Sequence, residues 1–261
     1  MELHIELDDT YMNVIKFGTG KKNMIIIDGV SLCGLEGAGN QLENIYDIFT
    51  KDFTVYVFDR KKSIPEGYTM NQMANDIYRC MVQLEITKTS VYGTSQGGMI
   101  GILFTLAHPE MVENLVLCST TAKNGENKAF ATWKEIAATK DVVRLNKSFL
   151  EFVYSESFKE SIKDQIPELI KQGTEDDCHH FKILVESMYN FDITARLDEI
   201  KCPALVIYDK NDKVFDCGGG IALAEKLGCS TIAYDQYSHA VYDEAPDLIE
   251  KIAGFCKRSG A

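Results

Sequence analysis

Up to about residue 120 the chain alternates between short apolar runs and longer segments whose apolar positions recur at helical spacing. The runs predict strands at Glu2–Leu7, Met12–Phe17, Met24–Asp28, Thr54–Asp59, Ser90–Tyr92 and Leu115–Cys118. Asp8-Asp9-Thr10 predicts a hairpin turn between the first two. The later runs are continuously apolar, as expected of parallel strands covered on both faces. Met70–Leu84 and Met99–Ala107 predict helices, the second stopped by Pro109. Such alternation predicts an α/β protein with a doubly wound parallel sheet.

From Thr121 to about Glu199 the pattern changes. The strand-like runs stop and polar, helix-like segments take over, with Phe149, Phe152, Val153, Leu184, Val185 and Met188 marking amphipathic faces around the single tryptophan, Trp133. After Cys202-Pro203 the first pattern resumes: a strand at Ala204–Asp209, a helix at Ala222–Leu227, a strand at Thr231–Asp235 and a closing helix near Pro246–Cys256. Residues 1–120 and 201–261 therefore form one α/β core, and 121–200 is a helical insertion within it.

Composition narrows the partners. A formal net charge of -12 argues against nucleic acid and against anionic membrane surfaces, both of which need basic patches. No apolar run approaches the roughly 18–20 residues of a membrane span. The acidic start, Met1-Glu2-Leu3-His4, lacks the basic and apolar regions of a secretory signal. The eight cysteines are scattered without a Cys-x-x-Cys pair, which predicts reduced thiols in a cytoplasmic protein.

The candidate chemistry centres on Gly93-Thr94-Ser95-Gln96-Gly97, a Gly-x-Ser-x-Gly pattern with a strand before it and a helix after it. That setting is what a nucleophile elbow needs. A serine hydroxyl requires a base, an acid to orient the base, and donors for an oxyanion. Of the five histidines, only His239 lies on a loop after the last strand, where the order Ser…Asp…His puts the base. The acid should follow the strand Ala204–Tyr208. Asp212 is the first choice, with Asp209 as a turn residue and Asp216 as a helix cap in competition. The oxyanion donors should be the backbone N–H of Gln96 and, from the glycine turn after Met24–Ile27, that of Val30.

Beyond the elbow, several segments carry a resemblance to a known family: Asp28-Gly29, Asp59-Arg60, Tyr68–Ile77, Ala107-His108-Pro109-Glu110, Cys202–Ile207 and Ser238-His239-Ala240. Together they resemble the α/β-hydrolase superfamily, in its capped, esterase- and lactonase-like branch. The resemblance implies about eight mostly parallel strands and a helical cap over the site. It also implies a triad of Ser95, Asp212 and His239, a small acyl substrate and no cofactor. Two departures stand out. Asp28 occupies the position where the family usually has histidine, and Lys61-Lys62-Ser63 replaces a glycine-rich run. A carboxylate at position 28 would oppose an oxyanion nearby unless it points away or is paired.

The expected activity is hydrolysis of a small carboxylic ester, thioester or lactone. The same groups also serve carbon–carbon bond hydrolases of this fold, and the scaffold can serve as a ligand-binding or sensor protein. Two further runs carry less. Glu175–His180 holds metal-capable side chains, but adjacent histidines on a helix diverge, so a solvated turn of the insertion is expected there and no metal site. Gly218-Gly219-Gly220 lacks a following lysine at phosphate-loop spacing and reads as a flexible loop.

Overall fold

The computed structural model describes residues 1–8 and 10–258. Eight strands form one sheet: β1 (Glu2–Leu7), β2 (Thr10–Phe17), β3 (Lys22–Ile27), β4 (Phe53–Lys61), β5 (Thr89–Thr94), β6 (Val112–Cys118), β7 (Ala204–Asp209) and β8 (Ser230–Tyr234). Their order is β1-β2-β4-β3-β5-β6-β7-β8. The β1–β2 hairpin joins the sheet antiparallel through β2–β4, and every pair from β4 to β8 is parallel. In the predicted hairpin turn, Asp9 lies outside the described residues. The central strand β5 is buried along its whole length, including its polar residues Thr89, Ser90 and Thr94.

Helices α1 (Gly39–Ile45), α2 (Met70–Gln83) and α3 (Gln96–Ala107) precede the insertion. Helix α2 begins in a capping box between Thr69 and Gln72 and buries Met70, Met73, Ala74, Ile77, Cys80 and Met81 on one face. Between β6 and β7 come α4 (Lys128–Ala138), α5 (Val142–Val153), α6 (Glu156–Ser161), α7 (Ile166–Leu169) and α8 (Glu175–Ser187). Helices α9 (Cys217–Leu227), α10 (Val241–Glu244) and α11 (Leu248–Arg258) complete the chain.

Two apolar clusters cover the sheet. One gathers residues of α2 and α3 and extends without a break into Trp133, Phe130 and Phe181 of the helical insert. The other joins α1 and α11 to the opposite face. The insert thus shares a core with the sheet. Trp133 sits at the centre of its aromatic packing, with Phe130, Phe149, Phe152 and Phe181 at ring-centroid distances of 5.8, 5.3, 5.8 and 6.1 Å. The insert's neck is pinned by an isolated bridge and a 2.9 Å ion pair between Lys123 and Asp192.

Three local expectations need correction. Helix α3 starts at Gln96, directly after Ser95, because Gly97 and Gly98 belong to its first turn. The Gly218-Gly219-Gly220 run is the first turn of α9, where the Asp216 side chain accepts the Gly219 N–H, and so is no loop. Helix α1 lies in a stretch where no element was expected. No helix among the described residues is long and apolar enough to cross a membrane.

Candidate active site

Ser95 has φ 51° and ψ -120°, a left-handed conformation uncommon for any residue but glycine. Its neighbours make the bend sterically possible. A Cβ on Gly97 would stand 1.9 Å from the Ile27 carbonyl oxygen, and one on Gly93 would stand 2.5 Å from the Gly97 carbonyl oxygen. The strained residue is held on both sides. Its N–H donates to the Cys118 carbonyl at 2.9 Å, and the Thr120 hydroxyl donates to its carbonyl at 2.7 Å. The Gly-x-Ser-x-Gly spacing is therefore the local requirement for bringing β3, β5 and α3 together around one hydroxyl.

The loops after β7 and β8 bring two more groups to that hydroxyl. His239 Nε2 lies 2.9 Å from Ser95 Oγ, and His239 Nδ1 lies 3.0 and 2.8 Å from the two oxygens of Asp212. Asp212 Oδ1 also accepts the N–H groups of Val214 and Phe215 at 2.7 and 2.9 Å, which fixes the orientation of the carboxylate. The rings of Phe215 and Tyr242 stand edge-on to the imidazole. Ser95 is 5% exposed and His239 2%, so the pair is screened from bulk water.

The competing carboxylates take other places. Asp209 is fully buried and accepts the N–H groups of Asn211 and Tyr237, tying the β7 loop to the loop that carries His239. Asp216 caps α9. The other histidines stay away from Ser95. His4 stacks on Tyr11, His108 stacks on Tyr78, His179 pairs with Glu66, and His180 lines a cavity beside Arg60. Glu175–His180 forms the first turns of α8 behind a Thr174–Asp177 capping box.

The loop after β3 packs against the elbow. The Gly29 N–H donates to Thr94 Oγ1 at 3.0 Å, and a Cβ on Gly29 would touch that of Ser95 at 3.0 Å. Val30 follows. Gln96 opens α3, where first-turn N–H groups lack partners within the helix. The backbone donors expected at Val30 and Gln96 thus belong to the two segments that flank Ser95.

Among the described residues, none forms an ion pair with the Asp28 carboxylate. Burial first, then the nearby charge of Asp243, push its carboxyl up to about 6. Asp243 is likewise pushed up to about 6 by burial, although it accepts a 2.8 Å hydrogen bond from the Tyr154 hydroxyl. Arg60 addresses the Asp28 backbone instead, donating from Nη2 to its carbonyl at 2.9 Å and to Gln96 Oε1 at 3.0 Å. Arg60, Asp243 and the Gln96 side chain went unassigned in the sequence. The one signal for them was the Asp59-Arg60 pair at the end of β4.

Two cavities meet at Ser31, Leu32 and Cys33, just beyond Val30. One, of about 490 Å³, is walled by Leu145, Phe149, Leu150, Phe158 and Phe181 of the insert. The other, of about 510 Å³, has Asn13, Asp28, Asp59, Arg60 and His180 among its lining residues. Among the described residues, no group of three or more His, Cys, Asp or Glu side chains could hold a metal ion.

Known proteins share this architecture. A family model described as serine aminopeptidase, S33, matches residues 36–246, a span that includes Ser95, Asp212 and His239. The chain belongs to that family. Among curated relatives, 3-oxoadipate enol-lactonase 2 of Acinetobacter baylyi is 22% identical over 243 residues, covering 91% of this chain and 90% of that one. A Serratia proteamaculans protein named "Putative carbamate hydrolase RutD" is 26% identical over 243 residues, covering 86% and 89%. The solved enol-lactonase of Burkholderia xenovorans has the same fold, with a TM-score of 0.86 at 19% identity over 98% of this chain and 100% of that one. The chain is thus a hydrolase of the S33 family, and it has the α/β-hydrolase fold.

Proposed function

We propose that this S33-family member is a serine hydrolase that cleaves a small carboxylic ester, thioester or lactone through an acyl-enzyme on Ser95. The observation that carries the reading is the 2.9 Å approach of His239 Nε2 to Ser95 Oγ, with Asp212 on the opposite ring nitrogen at 2.8 Å. Ser95 Oγ attacks the acyl carbon as its proton passes to His239 Nε2. Asp212 keeps Nδ1 protonated and stabilises the imidazolium. The N–H groups of Gln96 and Val30 receive the negative oxygen. His239 returns the proton to the departing alcohol or thiol, then takes one from water as that water attacks the acyl carbon, and passes it to Ser95 Oγ as the acyl–oxygen bond breaks and the acid is released.

In this reading residues 121–200 act as a cap. The low exposure of Ser95 and His239 supports a covered site, to which a shift of the insert would admit substrate. The apolar cavity walled by Phe149, Phe158 and Phe181 suits the acyl chain. Relatives named for an enol-lactone and a carbamate support a substrate that reacts at an acyl carbon.

Intact mass after fluorophosphonate treatment tests the mechanism. One adduct is expected on the wild-type chain and none on Ser95→Ala, which should also lose about 10⁵-fold or more in p-nitrophenyl acetate turnover. An unlabelled wild-type chain, or a Ser95→Ala variant that still turns over, overturns the reading. A panel that adds a meta-cleavage diketone separates ester from carbon–carbon hydrolysis.

A further inference from the structure

The Gln96 side chain is fully buried, although glutamine is a residue that usually faces water. Every part of its amide is used. Nε2 donates to the Leu184 carbonyl at 2.8 Å and lies 3.3 Å from Ser187 Oγ, while Oε1 accepts from Arg60 Nη2 at 3.0 Å. Leu184 lies in the last turn of α8, where helix carbonyls lose their usual partners. The Met188 N–H bonds to Val185, which leaves the Leu184 carbonyl to side-chain donors. The Ser187 hydroxyl donates to the same carbonyl at 2.7 Å, so Gln96, from within the nucleophile elbow, closes the C-terminal end of α8 together with Ser187.

The other end of the network reaches the β3 loop. Arg60 Nη2 also donates to the Asp28 carbonyl, and the N–H of the same peptide plane, that of Gly29, donates to Thr94 Oγ1. A peptide unit is rigid, so holding its C=O and its N–H fixes its orientation. The next N–H along the chain is that of Val30. One network therefore ties together the three segments around the reacting carbonyl: the start of α3, the loop after β3, and α8 of the insert.

We infer that Gln96 and Arg60 are positioning residues that set the two backbone oxyanion donors and make their geometry depend on the docked position of α8. This rests on the acyl-enzyme reading above. Oxyanion donors act only when correctly aimed, and misplacement by about 1 Å costs on the order of 10²-fold in rate. A loosened network therefore slows the chemical step more than it weakens substrate binding.

The test compares kcat and KM for Gln96→Leu, Arg60→Met, Arg60→Lys and the Gln96→Leu/Arg60→Met double variant. Gln96→Leu and Arg60→Met are each expected to lower kcat about 10- to 100-fold with KM within about 3-fold, and to slow fluorophosphonate labelling by a similar factor. Arg60→Lys, which keeps a donor, should recover part of the loss. The double variant should lose no more than the worse single variant, because both interrupt one network. Additive losses, a loss carried wholly by KM, or unchanged kcat overturn the inference. Failure of the wild-type chain to label overturns the acyl-enzyme reading instead. Normal labelling of both wild type and Gln96→Leu, with equal kcat, removes only the positioning role.

Discussion

The β5–α3 elbow and the helical insert of residues 128–187 meet at Gln96, yet they are held in different ways. At the elbow the backbone is the constraint. Ser95 keeps a left-handed φ because glycines let β3 and α3 approach within a distance that no Cβ permits. The insert is held by the apolar core it shares with the sheet and by a set of separate bonds: Gln96 at α8, the Ala240 N–H on the Val153 carbonyl, Tyr154 on Asp243, and Ser155 on Glu244. Backbone sterics give one geometry. Tethers of this kind, each worth about 1 kcal/mol net, can be released one after another. The elbow is fixed by backbone sterics, whereas the bonds that tie the insert to it are separable.

The contrast can be broken most severely at Gly97. Gly97→Ala drives a methyl group into the Ile27 and Asp28 carbonyls, at 1.9 and 2.5 Å. A destabilisation of about 3 kcal/mol or more is expected in urea unfolding, together with loss of Ser95 labelling. A variant with wild-type stability would show that the elbow is less constrained than its geometry indicates.

A second test lies between the two regions, at Asp28. Its folded-state carboxyl sits at about 6 against an ordinary 3.8. Between about pH 4 and 6 the unfolded chain has already released this proton while the folded chain keeps it. This group's contribution to stability is therefore full below pH 4, falls as pH rises to about 6, and is flat above that. Asp28→Asn should match wild type at pH 4 and exceed it by about 1–3 kcal/mol at pH 7.5, as read from thermal or urea unfolding. Equal stability of the two chains at pH 7.5 would remove burial as the force acting on this carboxyl.

The smallest effect is expected at the neck of the insert. Lys123 and Asp192 are both well exposed, so Lys123→Ala should cost less than about 1 kcal/mol and leave kcat unchanged. A larger loss would mean that the insert depends on its neck rather than on its tethers to the elbow loops.

Much of this was legible along the chain because it depends on local patterning. The apolar period gave the strands within a few residues, and β7 runs over Ala204–Asp209, its predicted span. Helices α3 and α9 begin earlier than the apolar spacing predicts, at Gln96 and Cys217, because their first turns hold glycines rather than apolar side chains. In both helices the glycines lie in the first turn, where a missing side chain leaves room for close packing: Gly98 against Thr120, and Gly220 against Tyr208. Lys61-Lys62-Ser63 departs from the family pattern without disturbing the elbow. Lys61 pairs with Asp76 at 3.4 Å and lies over the Tyr68 ring.

By itself the sequence determined which residues could react and the order of the elements that bear them. Alternation of strand and helix, a serine between glycines, and a histidine after the last strand are properties of neighbouring residues, and neighbouring residues control backbone conformation. Only the tertiary structure decided which groups meet. Asp209, Asp212 and Asp216 are alike in chemistry and a few residues apart. The fold of one loop sends the first to backbone amides, the second to His239 and the third to a helix end. Gln96 finds partners 36 and 88 residues away, at Arg60 and Leu184, and Asp28 acquires its raised pKa from burial. Convergence and burial are products of packing over long chain separations, and no local pattern encodes them.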